Sequence, residues 1–191
     1  MRELPTELDP SRMPRHVAII MDVLTVFAFS TENWLRPKTE VNFLMELFER
    51  VFDEQLNIMP ENMIQALEEG TRHNTGLKLS IALSYSGRQD IVGACQQLVA
   101  RVQNGEMSPS DLTEAAIDKE LKTSWVGEGR NPDLLIRTSG EQRISNFMLW
   151  QTAYSEFLFV DSLWPDFGEA QLKDALLEYQ KRNRRFGKRI Q

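Results

Sequence analysis

Residues 131–150, NPDLLIRTSGEQRISNFMLW, concentrate the chemistry of this chain. An apolar stub, Leu134-Leu135-Ile136, runs directly into Arg137-Thr138-Ser139-Gly140-Glu141-Gln142-Arg143-Ile144-Ser145-Asn146. Two arginines, three hydroxyls and a glycine thus fall in one short turn after a strand-like run. The region just past a strand's carboxyl end is where α/β sheets bind ligands. Guanidinium forks and hydroxyls match phosphate oxygens in geometry and charge. Arg137, Arg143 and Ser145 therefore point to an anionic phosphate ester. A surface loop bridged to the acidic majority of the chain is the structural alternative, and the clustering favours phosphate.

Other residues could share that chemistry. Asp22 closes the apolar run Val17–Met21, where a carboxylate would face the ligand crevice and could hold Mg²⁺ on a diphosphate; a helix N-cap is an equal alternative. Ser30, Thr31, Glu32, Asn33, Trp34 and Arg36 follow a second apolar run, Val23–Phe29. The polar members could contact phosphate and Trp34 could wall an apolar pocket, though a capping turn explains them slightly better. Glu156 sits among Tyr154, Phe157, Leu158 and Phe159, where a carboxylate is costly unless paired or metal-bound. It could pair with an arginine or share a metal with Asp22, and the salt bridge is the stronger reading. The basic stretch Lys181–Arg189 reads as a solvated helix end, with a phosphate-reaching guanidinium as the functional alternative.

These residues need a scaffold, and the composition supplies an ordinary one. The 191 residues suffice for one domain with a substantial core, and 41% hydrophobic with 26% charged residues is usual for globular proteins. A net charge of −6 argues against a general nucleic-acid binder. One cysteine, Cys95, excludes an internal disulfide, and its place in a helical pattern predicts a buried structural thiol. With only two histidines beside it, a His/Cys metal site is improbable. No apolar run approaches a membrane span and no signal peptide opens the chain. The expectation is a cytoplasmic protein, a plastid not being excluded, with residues 1–15 as a loose arm.

The pattern predicts strands at His16–Asp22, Val23–Ser30, Leu77–Ser84, Leu134–Ile136 and Glu156–Val160. Helices are predicted at Lys38–Ile58 and on through residue 72, then at Gln89–Gln103, Ser108–Leu121, Phe147–Tyr154 and Glu169–Arg185. Alternating strands and helices with nearly all-apolar strands indicate an α/β fold, a mostly parallel central sheet flanked by helices. One junction resists this reading. His16–Asp22 and Val23–Ser30 abut, yet parallel strands need a crossover of roughly a dozen or more residues. A segment is therefore expected to be missing between Asp22 and Val23, with a second, smaller absence near Asn62–Met63. The first helix carries Val41, Phe43, Leu44, Leu47, Phe48, Val51 and Phe52 at helical spacing; core packing is the default, and a lining for a long hydrocarbon is the sharper alternative.

In order, HVAIIMD, FAFSTENW with Arg36-Pro37, TGLKLSIALSYSGRQDIV, DLLIRTSGEQRISNFMLWQTAYSE, LWPDF and RRFG resemble the cis-prenyltransferases, the undecaprenyl and dehydrodolichyl diphosphate synthases. The match covers nearly the whole chain, and no aspartate-rich box of the trans type is present. The resemblance implies a single domain over 1–191 with an apolar tunnel for a prenyl chain. It implies Mg²⁺-dependent condensation of isopentenyl diphosphate with an allylic prenyl diphosphate to a Z-polyprenyl diphosphate. By the same resemblance Asp22 binds Mg²⁺ and assists departure of the allylic diphosphate, with Glu156 contributing to the metal site. Arg137, Arg143 and Ser145 bind the isopentenyl diphosphate. Ser30, Asn33 and Arg36 lie beside the reacting centre, with Trp34 as a wall. Arg185 and Gly187 belong to an element that reaches the partner's site in a homodimer. The resemblance also places Gly-Asn-Gly-Arg-Trp and further helical chain after the strand-ending aspartate, none of which this sequence has. Membrane contact would be peripheral at most. A non-catalytic scaffold subunit and an unrelated phosphate-binding module are the competing readings, and retention of Asp22, Arg137, Arg143 and Ser145 argues against the first.

Overall fold

The computed structural model describes residues 22–56 and 63–187. The strand expected at His16–Asp22 and the proposed break near Asn62–Met63 lie wholly or partly outside them. Strand β1 is Val23–Phe27 and pairs in parallel with β2, Lys78–Ala82, in the register Val23 to Lys78 through Phe27 to Ala82. Strand β3, Leu134–Arg137, pairs in parallel with β4, Glu156–Phe159, from Leu134 opposite Glu156 to Arg137 opposite Phe159. The described strands thus form two parallel ladders rather than one continuous sheet. A further parallel bridge joins Ser30 to Tyr85 beyond the first ladder.

Helix α1, Lys38–Leu56, connects β1 toward α2, Met63–Thr71. Helix α3, Gly87–Gln103, buries Gly87, Asp90, Ala94 and Leu98, positions that recur on one face of a helix. The single helix expected over Ser108–Leu121 is divided. A 3-10 turn at Pro109–Asp111 is capped by Ser108, and Thr113 starts α4, Glu114–Glu120, by accepting from the Ala116 N–H. Helix α5, Glu169–Gln180, lays Leu172 and Leu176 on Leu134, with Ile136, Leu158 and Phe167 around them. Crossovers through helices between parallel strands make this an α/β architecture.

Two expectations fail. Phe147–Tyr154 is a series of turns, not a helix: Ser145, Asn146 and Met148 have φ of +45°, +60° and +48°, which no right-handed helix accepts. Cys95 is exposed, because the buried face of α3 runs through Ala94 and Leu98 and turns Cys95 outward. Among the described residues no helix is long and apolar enough to cross a membrane.

Candidate functional site

The carboxyl ends of β1, β2 and β3 lead into three polar loops, and hydrogen bonds bring these together. After β1, Ser30 caps a 3-10 turn, Thr31–Leu35. Its amide donates to Asn33 Oδ1 at 2.8 Å, and its hydroxyl donates to Glu32. The Asn33 side-chain oxygen is therefore used inside the turn, and its NH₂ is the group left to meet a ligand. Trp34 packs edge-on against Phe29, with ring centroids 5.0 Å apart, and donates its indole N–H to Ser84 Oγ at 2.9 Å. One face of Trp34 stays open to solvent. Arg36 is exposed and pairs with Glu40 at 2.7 Å.

After β3 the arginine loop folds on itself. Arg137 Nη1 donates to the Arg143 carbonyl and to Ser145 Oγ, the latter at 2.8 Å. Arg137 thereby fixes the loop with one nitrogen and leaves the rest of its fork. Arg143 points outward beside Glu141. The structure thus brings Arg137 to the Ser145 hydroxyl and to the Arg143 main chain, with the Arg143 guanidinium turned to Glu141.

Asn146 joins this loop to the other two. Its Nδ2 donates to Glu32 Oε1 at 2.6 Å and to Ser86 Oγ at 2.7 Å. The Ser30 hydroxyl, then the Asn146 amide, hold the Glu32 carboxyl down to about 2 from its ordinary 4.5. Behind the loops lies a buried polar group. Asp90 accepts from the Tyr85 hydroxyl at 2.9 Å, from Gln151 Nε2 at 3.1 Å and from the Lys122 N–H at 2.9 Å. Burial, reinforced by the Asp90 carboxylate, pushes the Tyr85 hydroxyl well above its usual range. Ser86 and Asp90 were not singled out in the sequence, and Glu32 and Asn146 were named only within their segments. Ser86 carried the signal of position, a polar residue soon after a strand, and Asp90, inside α3, carried none.

Asp22 stands at the amino end of β1 and β2, where its carbonyl accepts from the Lys78 N–H at 2.9 Å. With no crossover between it and Val23, Asp22 is drawn onto the first rung of this ladder. The five residues of β1, at about 3.3 Å each, set it about 17 Å from the carboxyl edge. Glu156 likewise begins β4, three positions before the partner of Arg137, and it pairs with Arg182 at 3.1 Å. Among the described residues no three His, Cys, Asp or Glu side chains group to hold a metal. Glu156 is held by Arg182 rather than offered to a metal, so the described residues do not form the Mg²⁺ site that the resemblance implies. Arg185 and Gly187 stand exposed beyond α5, Gly187 with φ +78° in open space. Their neighbour Arg184 turns inward to Asp133, lies 4.7 Å over the Phe186 ring and donates to the Tyr154 carbonyl at 3.2 Å.

The fold and these loops define an α/β protein with an arginine- and hydroxyl-lined site at the carboxyl edge of parallel strands. A family model described as undecaprenyl diphosphate synthase matches residues 14–65 and 53–187. The chain is 42% identical to an isoprenyl transferase of Shouchella clausii over 241 aligned residues, covering 97% of this chain and 93% of that protein. It is 39% identical to dehydrodolichyl diphosphate synthase 2 of Arabidopsis thaliana, over 97% of this chain and 78% of that one. Among solved structures, lavandulyl diphosphate synthase from Lavandula x intermedia, in complex with dimethylallyl diphosphate, aligns with a TM-score of 0.79 and 37% identity. That alignment covers 88% of this chain and 80% of the other. The chain belongs to the undecaprenyl diphosphate synthase family of cis-prenyltransferases.

Proposed function

We propose that this chain condenses isopentenyl diphosphate with an allylic prenyl diphosphate to give a longer Z-polyprenyl diphosphate. The observation that carries the reading is the meeting of two polar loops, 30–36 and 137–146, at one carboxyl edge through the Glu32–Asn146 bond. In this reading Arg137, Arg143 and Ser145 hold the diphosphate of isopentenyl diphosphate. The Asn33 NH₂ and the Arg36 guanidinium face the allylic diphosphate, and Trp34 walls off water. The allylic C–O bond breaks and diphosphate departs with the electron pair. The isopentenyl double bond then attacks the allylic carbon, and the departed diphosphate takes the proton whose loss leaves the new double bond. Cationic and N–H donors fixed before the reaction stabilise the charge on the departing oxygen. Phe43 and Leu47 of α1 expose apolar surface, which suits contact with the growing hydrocarbon.

Dependence on Mg²⁺ is proposed from the family alone and is tested by chelation. A homodimer is likewise proposed; the exposed Arg185 and Gly187 are free to reach a second copy, and sedimentation of the purified chain tests it. The alignment over 241 residues exceeds the 191 of this chain, so the Shouchella clausii relative has internal residues that this chain lacks. We place that difference chiefly between Asp22 and Val23, consistent with the missing crossover. Incubation with farnesyl diphosphate and labelled isopentenyl diphosphate, with and without Mg²⁺, tests the activity. Labelled chains longer than the acceptor are expected, and none at any Mg²⁺ concentration would refute it.

A further inference from the structure

Every polar atom of the Asn146 side chain, and its carbonyl, bonds to a segment other than its own loop. Oδ1 accepts the Arg88 N–H at 2.9 Å and the main-chain oxygen accepts the Gly87 N–H at 2.7 Å. The first turn of α3 is thus capped from outside, since the N-cap residue Ser86 makes no side-chain cap bond. Nδ2 spends its two hydrogens on Ser86 Oγ and Glu32 Oε1. These partners lie 58, 60 and 114 residues away, and they follow β2 and β1 while Asn146 follows β3. Asn146 holds φ +60° to do this, a left-handed conformation that asparagine tolerates better than most residues. Glu32 is fixed from its other side, where Oε2 accepts the Ser30 and Thr31 hydroxyls.

We infer that Glu32 and Asn146 are a pair of positioning residues that set the 30–36 turn against the arginine loop and transmit binding in one to the other. This rests on the reading that the two loops hold the two diphosphates. The bond spans the boundary between those sites and neither residue needs to touch a reacting atom. A donor amide facing a carboxylate also gives the contact a polarity that can be inverted. Asn146→Asp keeps Oδ1 on the Arg88 N–H and keeps the main-chain bond, so the cap on α3 survives. Both contacts of Nδ2 change: that with Glu32 turns from attraction to repulsion, and the Ser86 hydroxyl must turn from acceptor to donor. Glu32→Gln removes the charge but keeps an acceptor oxygen for Asn146, so the bond is weakened to that of a neutral amide pair. Together the two substitutions restore one donor and one acceptor with the roles exchanged.

The test uses the full chain with isopentenyl diphosphate as the probe, its binding measured by calorimetry. Trp34 emission, taken against a Trp34→Phe control, reports the 30–36 turn. In the parent, isopentenyl diphosphate alone should shift the Trp34 signal. Asn146→Asp should still bind the probe but lose the Trp34 response, with kcat down about tenfold, the scale of a charge-assisted hydrogen bond turned unfavourable, and Glu32→Gln should show a smaller loss of both. The double variant should regain the response and most of kcat. An Asn146→Asp variant that keeps the Trp34 response, or a double variant no better than Asn146→Asp alone, would overturn the pairing. Arg137→Ala serves as the separate arm. If it leaves isopentenyl diphosphate affinity unchanged, the assignment of the arginine loop fails, while the exchange of roles between Glu32 and Asn146 is still read from kcat.

Discussion

Replacing Asp90 by alanine should cost this fold more than any single surface charge. The carboxylate is 3% exposed and serves three donors: the Tyr85 hydroxyl, Gln151 Nε2 and the Lys122 N–H. Gln151 Nε2 keeps a second acceptor, Thr123 Oγ1 at 3.1 Å, but the buried Tyr85 hydroxyl and the half-buried Lys122 N–H would lose theirs. Each such group costs about 1–3 kcal/mol, and recovering the hydration of a buried carboxylate offsets part of the sum. The expected loss is about 3–5 kcal/mol, a large share of a typical stability of about 5–15 kcal/mol. Urea unfolding followed by circular dichroism measures it. With a slope of about 2 kcal/mol per molar, the midpoint should fall by about 2 M. Asp90→Asn preserves the shape and one acceptor for Lys122, and should lose about 1 kcal/mol. An alanine variant within about 1 kcal/mol of the parent would show that these bonds do not organise the region behind the site.

Three further outcomes follow from named contacts. Tyr85 stays protonated in the fold at pH values where the unfolded chain ionises near 10.0, so its contribution is intact below that pH and is lost as pH rises through it. Alkaline unfolding should accordingly begin near pH 10, and Tyr85→Phe should blunt it. Glu32 behaves oppositely: its contribution is complete above 4.5 and is lost as pH falls toward about 2, so Trp34 emission should titrate in that window in the parent and not in Glu32→Gln. Gly87→Ala would set a methyl 2.9 Å from the Asn146 carbonyl and 3.0 Å from Leu149. Any gain in helix propensity should be outweighed, and hydrogen exchange at the Gly87 and Arg88 amides should speed up.

The parts of this molecule that were legible in the sequence are those with local causes. β2 could be read from Leu77–Ser84 and α3 from the recurrence of Ala94 and Leu98, because periodicity survives without knowledge of partners. The arginine loop was legible because Arg137, Arg143 and Ser145 sit within nine residues and bond one another. The turns at 147–154 were not. Apolar residues at helical spacing look the same whether or not Met148 takes a left-handed conformation, and that conformation is set by the docking of Asn146 on α3. Asn146 itself was invisible for the same reason: its four bonds are to residues that no local pattern brings near.

Asp22 shows what connectivity contributes beyond residue type. The apolar run ending in this aspartate has the pattern of a parallel strand, and a parallel strand delivers its last residue to the carboxyl edge of a sheet. The next residue, Val23, begins β1, which starts at the amino edge. One peptide bond cannot place neighbouring residues at both edges of a sheet that β1 spans in about 17 Å. Either the run before Asp22 gives up its parallel strand or a crossover separates the two residues. With the direct bond present here, the ladder claims Asp22 through the Lys78 N–H. Inserting a helical crossover after Asp22 frees that position, and the carboxylate can then stand with Ser30, Asn33 and Arg137, where a diphosphate would be bound. The same residue type therefore belongs to the site or to the far edge according to the length of chain that follows it.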